Sequence, residues 1–200
     1  MDELERLTGE LVGRLFVEVE ASGRHVHLTR EQAQRLFGHG LTPERPLSQP
    51  GQYLCRERVT VVGPKGEMKH VAVLGPERPE GQAELSLTDG IALGLKLPIR
   101  LSGDVKGSPG ITLRGDKGEL RLPCGAIAAQ RHIHLPPEEA EKRGLKDRQT
   151  VKLKLLTERP VVFEDVQVRV RPDFAPRAHI DYDEANACGF RKGDLGLICP

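Results

Sequence analysis

"RHVHLTREQA" at residues 24–33 and "RHIHLPPEEA" at residues 131–140 are two versions of one phrase. Aligned over 24–34 and 131–141, Arg, His, His, Leu, Glu and Ala fall at identical offsets, and Val26 stands opposite Ile133. A strand places residues i and i+2 on one face, so each His-x-His aims two imidazoles the same way. A helix start follows each pair. Thr29 is an N-cap candidate with Gln32 completing a capping box, and Pro136-Pro137 suits a first helical turn. Two copies of strand, His-x-His and helix predict two related subdomains, dividing near residue 129.

Working outward, Leu4, Leu7, Leu11 and Leu15 recur at helical spacing, which predicts a short amphipathic helix over 2–14. "LFVEVE" (15–20) alternates as a strand. "RVTVVGPKGEMKHVAVL" (58–74) and "ITLRGDKGELRLP" (111–123) read as hairpins, and "TVKLKLL" (150–156) and "FEDVQVRV" (163–170) as further strands. With 22 Gly and 15 Pro as punctuation, the fold class is mainly β: two small β-barrel domains related by internal duplication, capped by short α-helices.

Aromatic residues make up 4% of the chain and Trp is absent, so Val, Leu and Ile must build the core. Lys+Arg (30) and Asp+Glu (29) nearly cancel, which excludes a one-signed field for nucleic acid or an anionic membrane. There is no long apolar run and no basic-then-apolar leader, so neither a membrane span nor a signal peptide is expected. The four cysteines (Cys55, Cys124, Cys188, Cys199) form no CxxC pair, which excludes a cysteine zinc knuckle and fits reduced, cytoplasmic thiols packed as small apolar residues. Cys124, eight residues before His132, is the one with a base near it in sequence.

Two imidazoles on one face are a chelate for Zn²⁺ or a similar borderline metal, whose third ligand usually comes from elsewhere. His39, in a "GHG" turn, and His70, mid-strand, are expected to face solvent. His179, in "RAHIDYDEANACGF", is the best further nitrogen. For a carboxylate, the stretch 75–90 offers Glu77, Glu80, Glu84 and Asp89. Residue chemistry alone chooses neither among these nor between one four-histidine site and two separate ones. A rival reading takes both copies as the cupin pattern HxHx3E, with Glu31 and Glu138, and gives a bicupin-like metal-dependent oxygenase or isomerase. Against it, Thr29 and Pro136-Pro137 start helices before those glutamates, and Val19 and Ala126 stand where cupins place a glycine. A third class is a zinc-stabilised binding module, which chelation would unfold.

The motifs "SGRHVHLT", "RPEGQAELS", "LSGDVKGSPGITL", "CGAIAAQRHIHL" and "HIDYDEANACG", in this order, resemble the PduL-type phosphate propanoyltransferase (phosphotransacylase) family over about residues 15–198. The resemblance implies reversible transfer of a propanoyl or acetyl group between CoA and inorganic phosphate. It also implies an N-terminal strand that joins the C-terminal barrel. The expected domains are then an amphipathic helix at 1–14, a first barrel of 15–23 plus 130–200 and a second of 24–129, with the active site where the halves meet. Carried over by position, His25, His27 and Glu84 match one zinc site, and His132, His134 and His179 a second, giving two Zn²⁺ per chain. Arg78 matches the phosphate-binding arginine, and Ser102, Lys106 and Gly107 lie in the region that resembles the CoA-contacting loop. Direct attack of phosphate on the thioester is the implied route, with Cys124 as acyl carrier the minor one. Arg24 and Arg131 are expected on the opposite strand face, in surface or supporting roles. The resemblance further implies a homodimer, coupling to an acyl kinase, and a location either free in the cytoplasm or inside a bacterial microcompartment. In the latter case the 2–14 helix would be the targeting segment, the alternative being a cap on the barrel.

Overall fold

The computed structural model describes residues 3–199. Helix α1 (Glu3–Leu15) leads into strand β1 (Phe16–Ser22). Asp2, at the edge of the expected helix, and the side chain of Leu7 lie outside the described residues, whereas Leu4, Leu11 and Leu15 are exposed. There follow β2 (His25–His27), α2 (Arg30–Phe37), β3 (Pro43–Pro46), β4 (Tyr53–Val62), β5 (Glu67–Gly75), β6 (Gln82–Leu85), α3 (Leu87–Leu93), β7 (Ile99–Arg100), β8 (Ile111–Arg114), β9 (Glu119–Leu122) and β10 (Ala126–Ala129). The chain then continues through β11 (His132–Leu135), α4 (Pro137–Arg143), β12 (Thr150–Leu155), β13 (Val162–Val170), β14 (Arg177–Asp181), α5 (Tyr182–Cys188) and β15 (Leu195–Cys199). Among the described residues no helix is long and apolar enough to cross a membrane.

The chain divides into two compact units: one is built from the chain up to Ser22 and from Arg131 onward, the other from Gly23–Gln130. In the first, β1, β14, β11, β13, β12 and β15 close into a six-stranded barrel. Its core is Val, Leu and Ile with three alanines and Cys188, and includes Val19, Ile133, Leu135, Leu153, Val168 and Ile180. "TVKLKL" alternates exposed and buried residue by residue, as a strand with one wet face must. In the second unit a nine-stranded sheet runs β7, β10, β6, β2, β5, β4, β8, β9, with β3 against β4. This sheet stays open at β7 and β9, a curled half-barrel around Val26, Leu28, Val61, Val73, Leu113 and their neighbours.

The duplication runs deeper than the repeated phrase. In the barrel, β11 lies between a parallel β13 and an antiparallel β14, with β1 parallel to β14. In the sheet, β2 lies between a parallel β5 and an antiparallel β6, with β10 parallel to β6. Each parallel neighbour carries a left-handed non-glycine residue, His70 (φ 56°) and Asp165 (φ 52°), beside a register shift against the next strand. Both are bulges, which re-aim a strand next to a site. His70 is exposed, as expected.

Hairpin turns close two helix ends. The Lys65 amide donates to the Leu93 carbonyl of α3 at 3.0 Å, and the Lys117 amide to the Leu36 carbonyl of α2 at 2.9 Å, so each turn satisfies a carbonyl the helix leaves unpaired. Glycines allow that approach. A Cβ on Gly63 would stand 2.4 Å from the Leu93 carbonyl oxygen. Gly63→Ala should therefore cost about 2 kcal/mol and lower Tm by roughly 4–8 °C in a thermal melt.

Candidate functional site

Strand β2 is buried on both faces. Val26 enters the core, and His25 and His27 point the other way with 6% and 2% exposure. Antiparallel β6 sets Glu84 directly across from His25. Both imidazole Nε2 atoms lie 3.6 Å from Glu84 Oε1. The Nδ1 atoms face backbone carbonyls, that of His25 at 2.7 Å from Gly23 and that of His27 at 3.1 Å from Leu74. A carbonyl only accepts, so each Nδ1 keeps its hydrogen and Nε2 is left as the coordinating atom.

The charges match that geometry. Burial, reinforced by neighbouring His25, drives the His27 imidazole down to about 3. Burial also acts to raise Glu84, but His25, His27 and Ser102 outweigh it and hold the carboxyl well below the usual range. For His25, burial is outweighed by Glu84, which raises it. An ionised carboxylate is thus drawing positive charge into a buried pocket with a neutral imidazole beside it. Gln82 and Ser102 extend the site. Gln82 Nε2 donates to Glu84 Oε1 at 2.6 Å and to Ser102 Oγ at 2.7 Å, and Gln82 Oε1 accepts from the Gly103 amide at 2.9 Å. Arg78 Nη1 donates to the same Ser102 Oγ at 2.7 Å. Its charge reaches the triad, where it opposes protonation of both histidines.

The first unit repeats the plan with one ligand changed. β14 pairs antiparallel with β11 so that His179 faces His132, the register by which Glu84 faces His25. His132, His134 and His179 bring their ring nitrogens within 4.8 Å of one another, as do the donor atoms of His25, His27 and Glu84. Neither ring nitrogen of buried His134 has a hydrogen-bond partner. A buried imidazole without partners is costly, so this donor set fits a cation. Burial, His132, His179, Arg169 and Arg171 all press His134 toward the neutral, coordinating form. Phe174 stacks on the ring at 3.9 Å between centroids.

A family model described as phosphate propanoyltransferase matches residues 18–191. The chain belongs to the phosphate propanoyltransferase family. It is an acyltransferase. It is 53% identical over 197 residues to a protein of that name from Listeria monocytogenes, a match covering 98% of this chain and 92% of the relative. The corresponding protein of Clostridioides difficile is 51% identical over 201 residues (98% and 96% covered), and that of Thermotoga maritima 51% over 183 (90% and 87%).

Within this family member, the residues anticipated as ligands come together as two triads, each able to hold a metal ion. Ser102 joins Arg78. Lys106 and Gly107 stand exposed further along the loop, where the Lys106 carbonyl accepts from Arg100 Nη1 at 2.6 Å. His179 lies inside β14. The cupin glutamates fail: Glu31 and Glu138 are exposed on α2 and α4, and Glu31 accepts from the Thr29 hydroxyl. Cys124 belongs to the turn before β10, in the unit other than that of His132. Sequence reasoning missed Gln82. Its signal was its place two residues before Glu84, which puts it on the same strand face.

Proposed function

We propose that this enzyme transfers a short acyl group, propanoyl or acetyl, reversibly between CoA and inorganic phosphate by direct attack, with a zinc ion at each triad. The observation that carries this reading is the pair of three-ligand clusters in matching register within a phosphate propanoyltransferase family member. Three protein ligands leave a coordination position open, as catalytic zinc sites do. When bound, zinc supplies Lewis acidity that stabilises a thiolate and offsets phosphate charge.

The protein's own groups do the rest. His25, His27 and Glu84 offer a site whose carboxylate half-neutralises a divalent ion, which suits the CoA sulfur. His132, His134 and His179 leave that charge whole, and Arg169 and Arg171 add to the positive field, which suits a phosphate dianion. Arg78 is poised to grip phosphate oxygens with its guanidinium fork while Ser102 holds one edge of that fork. Gln82 fixes the Glu84 carboxylate and, through Gly103, the loop of Lys106 and Gly107, which contacts CoA. No side chain needs to be acylated, so Cys124 has no assigned role.

The test is thiol release from propanoyl-CoA and acetyl-CoA by zinc-loaded enzyme, with and without phosphate. Release that requires phosphate and yields acyl phosphate is the expected result. Release without phosphate would make the enzyme a thioester hydrolase, and no release from a protein holding both ions would overturn the proposal.

A further inference from the structure

Each repeated phrase begins with an arginine whose role its own strand does not explain. Arg24 Nε and Nη2 grip Asp89 in a two-pronged pair at 3.1 and 2.8 Å, and the Asp89 side chain is 5% exposed. Arg131 Nη1 holds Glu184 at 2.7 Å. The two acids occupy one structural position. Ser86 caps α3 two residues after Glu84, and Asp181 caps α5 two residues after His179. Asp89 and Glu184 are the third helical residues, closing the capping boxes by accepting the Ser86 amide at 3.2 Å and the Asp181 amide at 3.0 Å. A continuous link therefore runs from the residue before each His-x-His, through guanidinium and carboxylate, to the backbone two residues past the third ligand.

We propose that Arg24 and Arg131 are positioning residues, each clasping the strand that carries the third metal ligand in register with its own His-x-His strand. The proposal rests on reading the triads as metal sites. β2 has only three residues, so its ladder holds the His25–Glu84 pairing with few backbone bonds. A fork bonded to a buried carboxylate supplies directional restraint that a point charge cannot. Arg131 is itself braced, donating from Nε to the Glu164 carbonyl at 2.7 Å and lying over the Phe163 ring. The acids differ, Asp in one half and Glu in the other, yet the clasp is kept. An incidental surface ion pair would not recur at matching positions of both halves.

The test uses the full chain with one triad disabled at a time: His134→Ala leaves the Glu84 triad and Glu84→Gln leaves the three-histidine triad. Zinc transfer to a colorimetric chelator is followed, with circular dichroism to monitor folding. Arg24→Gln should speed zinc loss roughly tenfold or more in the first background and leave the second unchanged. Arg131→Gln should do the reverse. Arg24→Lys, which keeps charge without the fork, should behave as Arg24→Gln does and covers the case in which the latter does not fold. Unchanged release in folded variants, equal effects on both triads, or full rescue by lysine would overturn the clasp. A parent protein that binds no zinc would instead overturn the reading of the triads.

Discussion

Glu84→Gln is expected to lower phosphate-dependent CoA release by about 10³-fold, equivalent to ~4 kcal/mol, and to remove one of two bound zinc ions. The substitution keeps shape and takes away charge. His25 and His27 stay aimed through their Nδ1 bonds to the Gly23 and Leu74 carbonyls, so the loss reads the carboxylate itself. The protein without metal should melt within a few degrees of the parent, because removing a buried charge leaves no cavity. Added zinc should raise Tm less than in the parent, since a ligand stabilises a fold only through the sites it fills. Glu84→His, which rebuilds the donor set of the other triad, should bind zinc again without restoring activity, as the ion would keep its full charge. Near-parental activity in Glu84→Gln with one zinc missing would remove that triad from the chemistry.

Much of this site can be read from letters, and the rest cannot for a definite reason. The two His-x-His pairs and the Thr29–Gln32 capping box are local patterns, and they stand in the structure as the spacing indicates. The third ligands are not local. Glu84 competed with Glu77, Glu80 and Asp89 on equal chemical terms, and only the β2–β6 register distinguishes it. The resemblance to a family supplied the choice; spacing did not. The deeper repeat was hidden because its letters changed: Glu84 became His179, Ser86 became Asp181 and Asp89 became Glu184. Offsets counted from the helix cap would have exposed it. The bulges at His70 and Asp165 were invisible for the same reason, since register decides where an extra residue goes. Glu77, one of the rejected candidates, serves the fold by accepting the Leu41 amide at 3.2 Å.

Arg78→Lys is the complementary experiment, because it should separate phosphate binding from metal binding. Arg78 donates to Ser102 Oγ and is not itself one of the triad's ligands. Zinc content should therefore stay at the parental value. Lysine keeps the positive charge but presents a single point of donation where phosphate offers a matched pair of oxygens. The loss should be about 10²-fold in kcat/KM for phosphate, ~3 kcal/mol, carried largely by a raised KM for phosphate with KM for the acyl-CoA little changed. Ser102→Ala should fall in the same direction by a smaller factor, on the order of tenfold, because it frees the guanidinium edge without removing the fork. If Arg78→Lys lost zinc as well, its role would be to hold the triad together. If it changed KM for the acyl-CoA alone, the guanidinium would be binding the CoA phosphates, and the attacking phosphate would have to be held by other groups, with Arg169 and Arg171 beside His134 the first to test.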